Sequence, residues 1–181
     1  MTIETPTRLS LQRELRDEVL LHYGSGRPVV AVDGLDGSGT AAFADGLAEA
    51  FRSAGHAVER AGLVDFPGAG DRGDAQVDAE AFRRIHVTPF RRGGDATFRT
   101  RPDGDERTAP ADTVLIVDGP FLHGPDLLGI WNYSVFLDVP SASAPEEQRR
   151  YLAAVRPRTR AVAIVDNVDP ERPVRRFADS C

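Results

Sequence analysis

Lysine is absent. All 22 basic residues among the 181 are arginines, so no side chain here can form a Schiff base or set an ammonium on a phosphate. Cysteine is nearly absent: the single one, Cys181, is the last residue, which excludes an internal disulfide. Positive charge is in deficit, with 28 acidic residues against the 22 arginines, a net charge of −6 and a pI near 5.2. That balance argues against a nucleic-acid-binding face. Long apolar runs are missing too. None approaches the ~18 residues of a membrane span, and Met1–Ser10 lacks the apolar core of a signal peptide. No Cys/His set has zinc spacing and no Gly-x-Ser-x-Gly elbow is present. The expectation is a cytoplasmic protein without a metal site or a bound cofactor, touching neither nucleic acid nor membrane.

What is present fits one globular domain over residues 1–181, with 41% hydrophobic and 28% charged residues. Leu11, Leu15, Val19 and His22 recur at helical spacing, so Ser10–Tyr23 reads as an amphipathic helix, closed by the turn that ends at residue 26. Pro28–Val32 reads as a buried strand, Thr40–Ala54 as a helix stopped by Gly55, and His56–Leu63 as a second strand. Residues 68–76 and 91–112 read as loops around a helix Asp78–His86. Val114–Val117 is the clearest core strand. A short helix near Asp126–Trp131 precedes strands Ser134–Val139 and Ala161–Val165, which flank a helix Glu146–Val155. Alternation of this kind predicts an α/β fold, a mostly parallel sheet between two layers of helices.

Ligands of such sheets bind at the carboxyl ends of the strands. The first strand runs into Asp33-Gly34-Leu35-Asp36-Gly37-Ser38-Gly39-Thr40-Ala41 and then a helix. Gly34 and Gly39 have the spacing of a phosphate-binding loop, but Thr40 stands at the lysine position and Ala41 at the position of the Mg²⁺-binding hydroxyl. The amides of Gly34, Gly37, Ser38, Gly39 and Thr40 at a helix N-terminus still form a nest for an anion.

Val29–Phe51, Asp65-Phe66, Phe98-Arg99-Thr100, VLIVDGPFL at 114–122, SVFLDVP at 134–140 and AVAIVDNVDP at 161–170 occur in the order found in the uridine kinase family of P-loop nucleoside kinases. The resemblance spans about residues 27–173. It implies a P-loop NTPase-type three-layer sandwich and an ancestral transfer of the ATP γ-phosphate to a nucleoside 5′-hydroxyl. It also exposes departures. Beyond Thr40 and Ala41, Val64 stands where the family usually has a base-like carboxylate. After Pro140 the lid is shortened, with Ser141–Pro145 leading straight into Glu146–Val155, where Arg149 and Arg150 are the candidates to replace lid arginines. Phosphoryl transfer depends on positioning and charge neutralisation, and each lost donor of that kind typically costs about 10²–10³ in rate.

These residues lead to a repurposed kinase-like protein that performs acid–base chemistry in the old nucleoside and phosphate cleft. Asp33, Asp65 and Asp118 are the candidate catalytic carboxylates, expected to share one cleft with Asp36, and His123 is the candidate histidine. Arg99 and Arg101, which the resemblance places over the acceptor site, are candidate anion holders beside the loop amides. His86, Trp131 and Tyr133 read as core or pocket wall. The expected partner is a small polar or anionic molecule with apolar surface, the cleft is expected to stand open, and homo-oligomerisation is left open. Two alternatives stand beside this reading: a residual nucleoside kinase with arginine in place of lysine, and a non-catalytic binding or regulatory pseudokinase.

Overall fold

The structure is a computed structural model that describes residues 7–68 and 77–177. A six-stranded sheet forms its centre, with strands β1 (Val29–Gly34), β2 (Val58–Gly62), β3 (Val114–Gly119), β4 (Tyr133–Asp138), β5 (Ala163–Asp166) and β6 (Val174–Arg176). Their spatial order is β2-β3-β1-β4-β5-β6; all pairings are parallel except the last, β5 with β6. The mostly parallel α/β architecture expected from the alternation is present. β6 escapes sequence reading because three residues of mixed polarity carry no period.

β1 is buried on both sides and therefore reads as a continuous apolar run. Val30 and Val32 face helices α1 (Arg8–Tyr23) and α2 (Thr40–Arg52), where Leu11, Leu15, Phe43, Leu47 and Phe51 pack with Val114, Ile116 and Val135. Val29 and Ala31 face the other layer, built on Phe66, Phe82, Phe90, Phe98, Leu115 and Val117. Leu11, Leu15 and Val19 are buried as their spacing requires, whereas His22 is exposed in the last turn of α1.

The helix expected over Asp78–His86 is longer. Asp78 caps it by accepting from the Ala81 amide at 2.8 Å, and it continues from α3 (Ala79–Phe82) through a π-turn at Arg83–Val87 into α4 (Thr88–Arg92). Pro89 does not end it. The proline lacks the N–H that Ile85 C=O would receive, and that carbonyl instead accepts the Arg99 amide at 3.2 Å. The expected helix at Asp126–Trp131 is only a 3₁₀ turn, Pro125–Leu127. Helices α5 (Glu146–Val155) and α6 (Pro157–Arg160) follow β4. At the far edge, Arg175 of β6 reaches Glu14 at 2.8 Å and Glu18 at 2.7 Å on α1.

Candidate functional site

The glycine loop closes tightly after β1. The Ser38 amide donates to Leu35 C=O at 2.9 Å, and Gly37 and Gly39 take left-handed conformations at φ 78° and 83°. A side chain at Gly34 would place its Cβ 2.3 Å from Ser38 Oγ and 3.0 Å from a Thr40 methyl, so the Ser38 side chain would have to move to admit it. Among the described residues, no protein acceptor takes the amides of Gly37, Gly39, Thr40 or Ala41. Asn167 braces the loop from beyond β5 by donating to Ser38 C=O at 2.7 Å.

α5 covers this loop. Pro145 and left-handed Arg156 bound it, and its two buried side chains, Gln148 and Tyr151, are three apart and so share one face. Gln148 Oε1 accepts the Asp36 amide at 3.1 Å. The Tyr151 hydroxyl donates to Asp33 Oδ2 and accepts the backbone N–H of His123 at 3.1 Å. The segment read as a shortened lid is thus a docked helix, fixed through Tyr151 as a connection of five residues leads one to expect, and its approach to the loop narrows the cleft that was expected to stand open. Arg149 binds Ala144 C=O at 2.6 Å and Arg150 pairs with Glu146, so neither is turned to the loop. Hydrogen exchange on the ligand-free protein checks the docking. The amides of 149–155 should be protected; exchange as rapid as in a free helix would mean that α5 is a mobile lid.

Asp33 is fully buried, and its Oδ2 also meets Nδ1 of His123 at 2.5 Å. Asp33 Oδ1 and His123 Nε2 are buried without a partner. Burial, followed by the Asp33 charge, pushes the Tyr151 phenol far above its ordinary value, so it remains a neutral donor. Phe121, held at φ 67°, stacks edge-on against Tyr151 with ring centroids 5.0 Å apart. These two rings, with Leu63, Leu127 and Val155, wall a cavity of about 230 Å³.

The other expected carboxylates lie elsewhere. In the parallel register Asp33 is opposite Gly119, and Asp118 is opposite Val32. Side chains alternate across a sheet, so Asp33 faces the layer of Val29 and Ala31 while Asp118 faces α2. The shared acidic cleft is not formed. Asp118 instead pairs with Arg60 at 2.8 Å, and Arg60 also contacts Asp45 at 3.1 Å and Ile116 C=O at 3.1 Å. Asp65 accepts the Gly62 amide at 3.3 Å as a turn cap, and with Thr100, Arg101 and Asp105 it lines a separate cavity of about 400 Å³. Arg99 is paired with Glu106 at 2.8 Å, and Val64 points to solvent. His86 is core, ringed by Phe66, Phe82, Phe90 and Phe98. Cys181 lies outside the described residues.

The sequence is matched by no family model and by no curated protein. Among solved structures, a possible uridine kinase from Bacillus stearothermophilus superposes with a TM-score of 0.68 at 20% identity, over 88% of this chain and 97% of the other. A candidate fructose transport system kinase from Silicibacter sp. TM1040 gives 0.53 at 23% identity, over 72% and 76%. The fold is that of the P-loop kinases. The resemblance drawn from the motifs is matched by the architecture.

Within this P-loop kinase fold, Asp33, Gly34 and the glycine loop occupy the strand-to-helix turn that the sequence assigned to them. Tyr151, Gln148 and Asn167 bind or brace the candidate site and were missed by sequence reasoning, as was Arg60 beside Asp118 on the other face of the sheet. Tyr151 had a signal, a helical face three residues from a buried glutamine, but its partner lies 118 positions away.

Proposed function

We propose that this chain uses a P-loop kinase fold without ATP-dependent phosphoryl transfer and performs acid–base chemistry on a small molecule through Asp33 and His123. The observation that carries the reading is the buried Asp33 carboxylate on Nδ1 of His123. Mg²⁺–ATP does not fit the residues present. Thr40 offers no cation and Ala41 no hydroxyl, Arg60 already neutralises Asp118, and Gln148 already holds a loop amide.

The carboxylate accepts from Nδ1–H, which leaves the lone pair of the neutral ring on Nε2. When Nε2 takes a proton, Asp33 stabilises the imidazolium beside it, and the neutral Tyr151 hydroxyl donates to the same carboxylate oxygen, Oδ2. General base work of this kind typically contributes about 10²–10⁴ in rate. The substrate is a small molecule with an apolar body and an anionic group. A non-catalytic binding protein is the second reading, favoured by the docked α5.

Three measurements test the proposal. Calorimetry with ATP and Mg²⁺ should detect no binding at micromolar concentrations, and a micromolar Kd would overturn the loss of the nucleotide. Nitrogen NMR of histidine-labelled protein should show His123 protonated on Nδ1 near neutral pH; a proton on Nε2 would remove the base. Turnover of a panel of small hydroxy and oxo acids that is lost in Asp33→Asn separates the enzyme from the binding protein.

A further inference from the structure

His123 does not line the cavity of Tyr151 and Phe121. It lines another, of about 400 Å³, on the far side of Leu127 and between the segment Leu122–Asn132 and α6. Its walls are apolar on one side, from Leu122, Leu127 and Trp131, and the indole is fixed by donating to Leu122 C=O at 2.6 Å. Arg160, from the last turn of α6, stands at the rim. Among the described residues Arg160 has no carboxylate partner, and it shares the lining of this cavity with His123. Nε2 of His123 is buried without a hydrogen-bond partner, in a side chain only 5% exposed.

A buried, unpartnered ring nitrogen destabilises the fold, and a ligand donor would relieve that cost. An unpaired guanidinium at the mouth of an apolar cavity suits a carboxylate. We propose that this cavity is the substrate site of the Asp33–His123 dyad and that it takes a small aromatic hydroxy acid. The carboxylate meets Arg160, the ring lies against Trp131 and Leu127, and the hydroxyl donates to His123 Nε2. Proton transfer there moves the hydroxyl proton to Nε2 and leaves an oxyanion on the ligand, with the imidazolium stabilised by Asp33. This inference rests on the dyad acting as the base, and it sets the substrate apart from the glycine loop.

The test is a titration of the full chain with 4-hydroxyphenylacetate, followed by nitrogen NMR of the histidine rings, the Trp131 indole and the backbone. The expected result is a saturable shift of His123 Nε2 and Trp131 Nε1, with the amides of Gly37 and Gly39 unmoved. Phenylacetate, which lacks the hydroxyl, should bind at least tenfold more weakly, and so should 4-hydroxyphenylacetate to Arg160→Gln. Arg160 is exposed, so this variant should keep the wild-type spectrum elsewhere. Shifts confined to the loop amides, equal affinity for the two acids, unchanged binding by Arg160→Gln or no saturable shift would each overturn the inference. In any of those cases a ring still protonated on Nδ1 leaves the base intact, whereas an Nε2 proton in the free protein fails the dyad itself.

Discussion

Replacing Asp33 by alanine is expected to destabilise the protein by about 3 kcal/mol or more. The carboxylate has no exposure and receives both the Tyr151 hydroxyl and His123 Nδ1. Hydrogen bonds to a charged group contribute roughly 1.5–3 kcal/mol each, and the donors left behind would stay buried and unmatched. Urea unfolding measures the loss. Tyr151→Phe removes one of the two bonds to Asp33 together with the acceptor of the His123 N–H, and should cost less than Asp33→Ala. The two variants should also differ locally from a simple core defect, because hydrogen exchange in α5 should rise before the sheet is affected. A neutral or stabilising Asp33→Ala would mean that the buried carboxylate is net unfavourable and that packing alone docks α5.

The second large effect is pH dependence at His86. Burial among four phenylalanines, aided by the Arg107 charge, lowers its pKa to about 4 from 6.5. The unfolded chain therefore takes up a proton as pH falls through 6.5, while the native ring does not until about 4. Stability is fully present above 6.5 and should fall between 6.5 and 4, by about 3 kcal/mol at 1.36 kcal/mol per pK unit. His86→Leu should flatten that slope. It should also raise stability at pH 7, since both ring nitrogens are buried without partners, a cost of order 1–3 kcal/mol. Parallel stability curves for wild type and variant from pH 6.5 to 4 would show that His86 is not the source.

Much of the fold was legible because its period is strong. β1 and β3 are apolar on both faces, α1 and α2 carry clear stripes, and the glycine loop joins a strand to a helix in the only way that Gly34 and Gly39 allow. Of the candidate site, the placement of Asp33 in the last residues of β1 and of His123 after β3 was legible, because ligands of parallel sheets gather at those ends. The expected convergence of Asp33 with Asp118 failed because it required strand register, which a sequence does not carry, and one step of register moves a side chain across the sheet. Arg60 was invisible for the same reason: only the pairing of Arg60 with Ile116 sets it on the same face as Asp118. A tyrosine on a helix reads as a packing residue, and the Tyr151 hydroxyl acquires meaning only from a carboxylate 118 residues earlier.

Arg175 has one more consequence, for the order of assembly. Its contacts with Glu14 and Glu18 join positions 161 and 157 residues apart. Closing so long a loop costs entropy before any contact rewards it, so this clasp forms after the parallel strands have brought the outermost elements together. A late-forming contact leaves the folding rate almost untouched and slows unfolding instead. The guanidinium on β6 works as a latch on the finished molecule, holding the first helix and the last strand shut against fraying from either side.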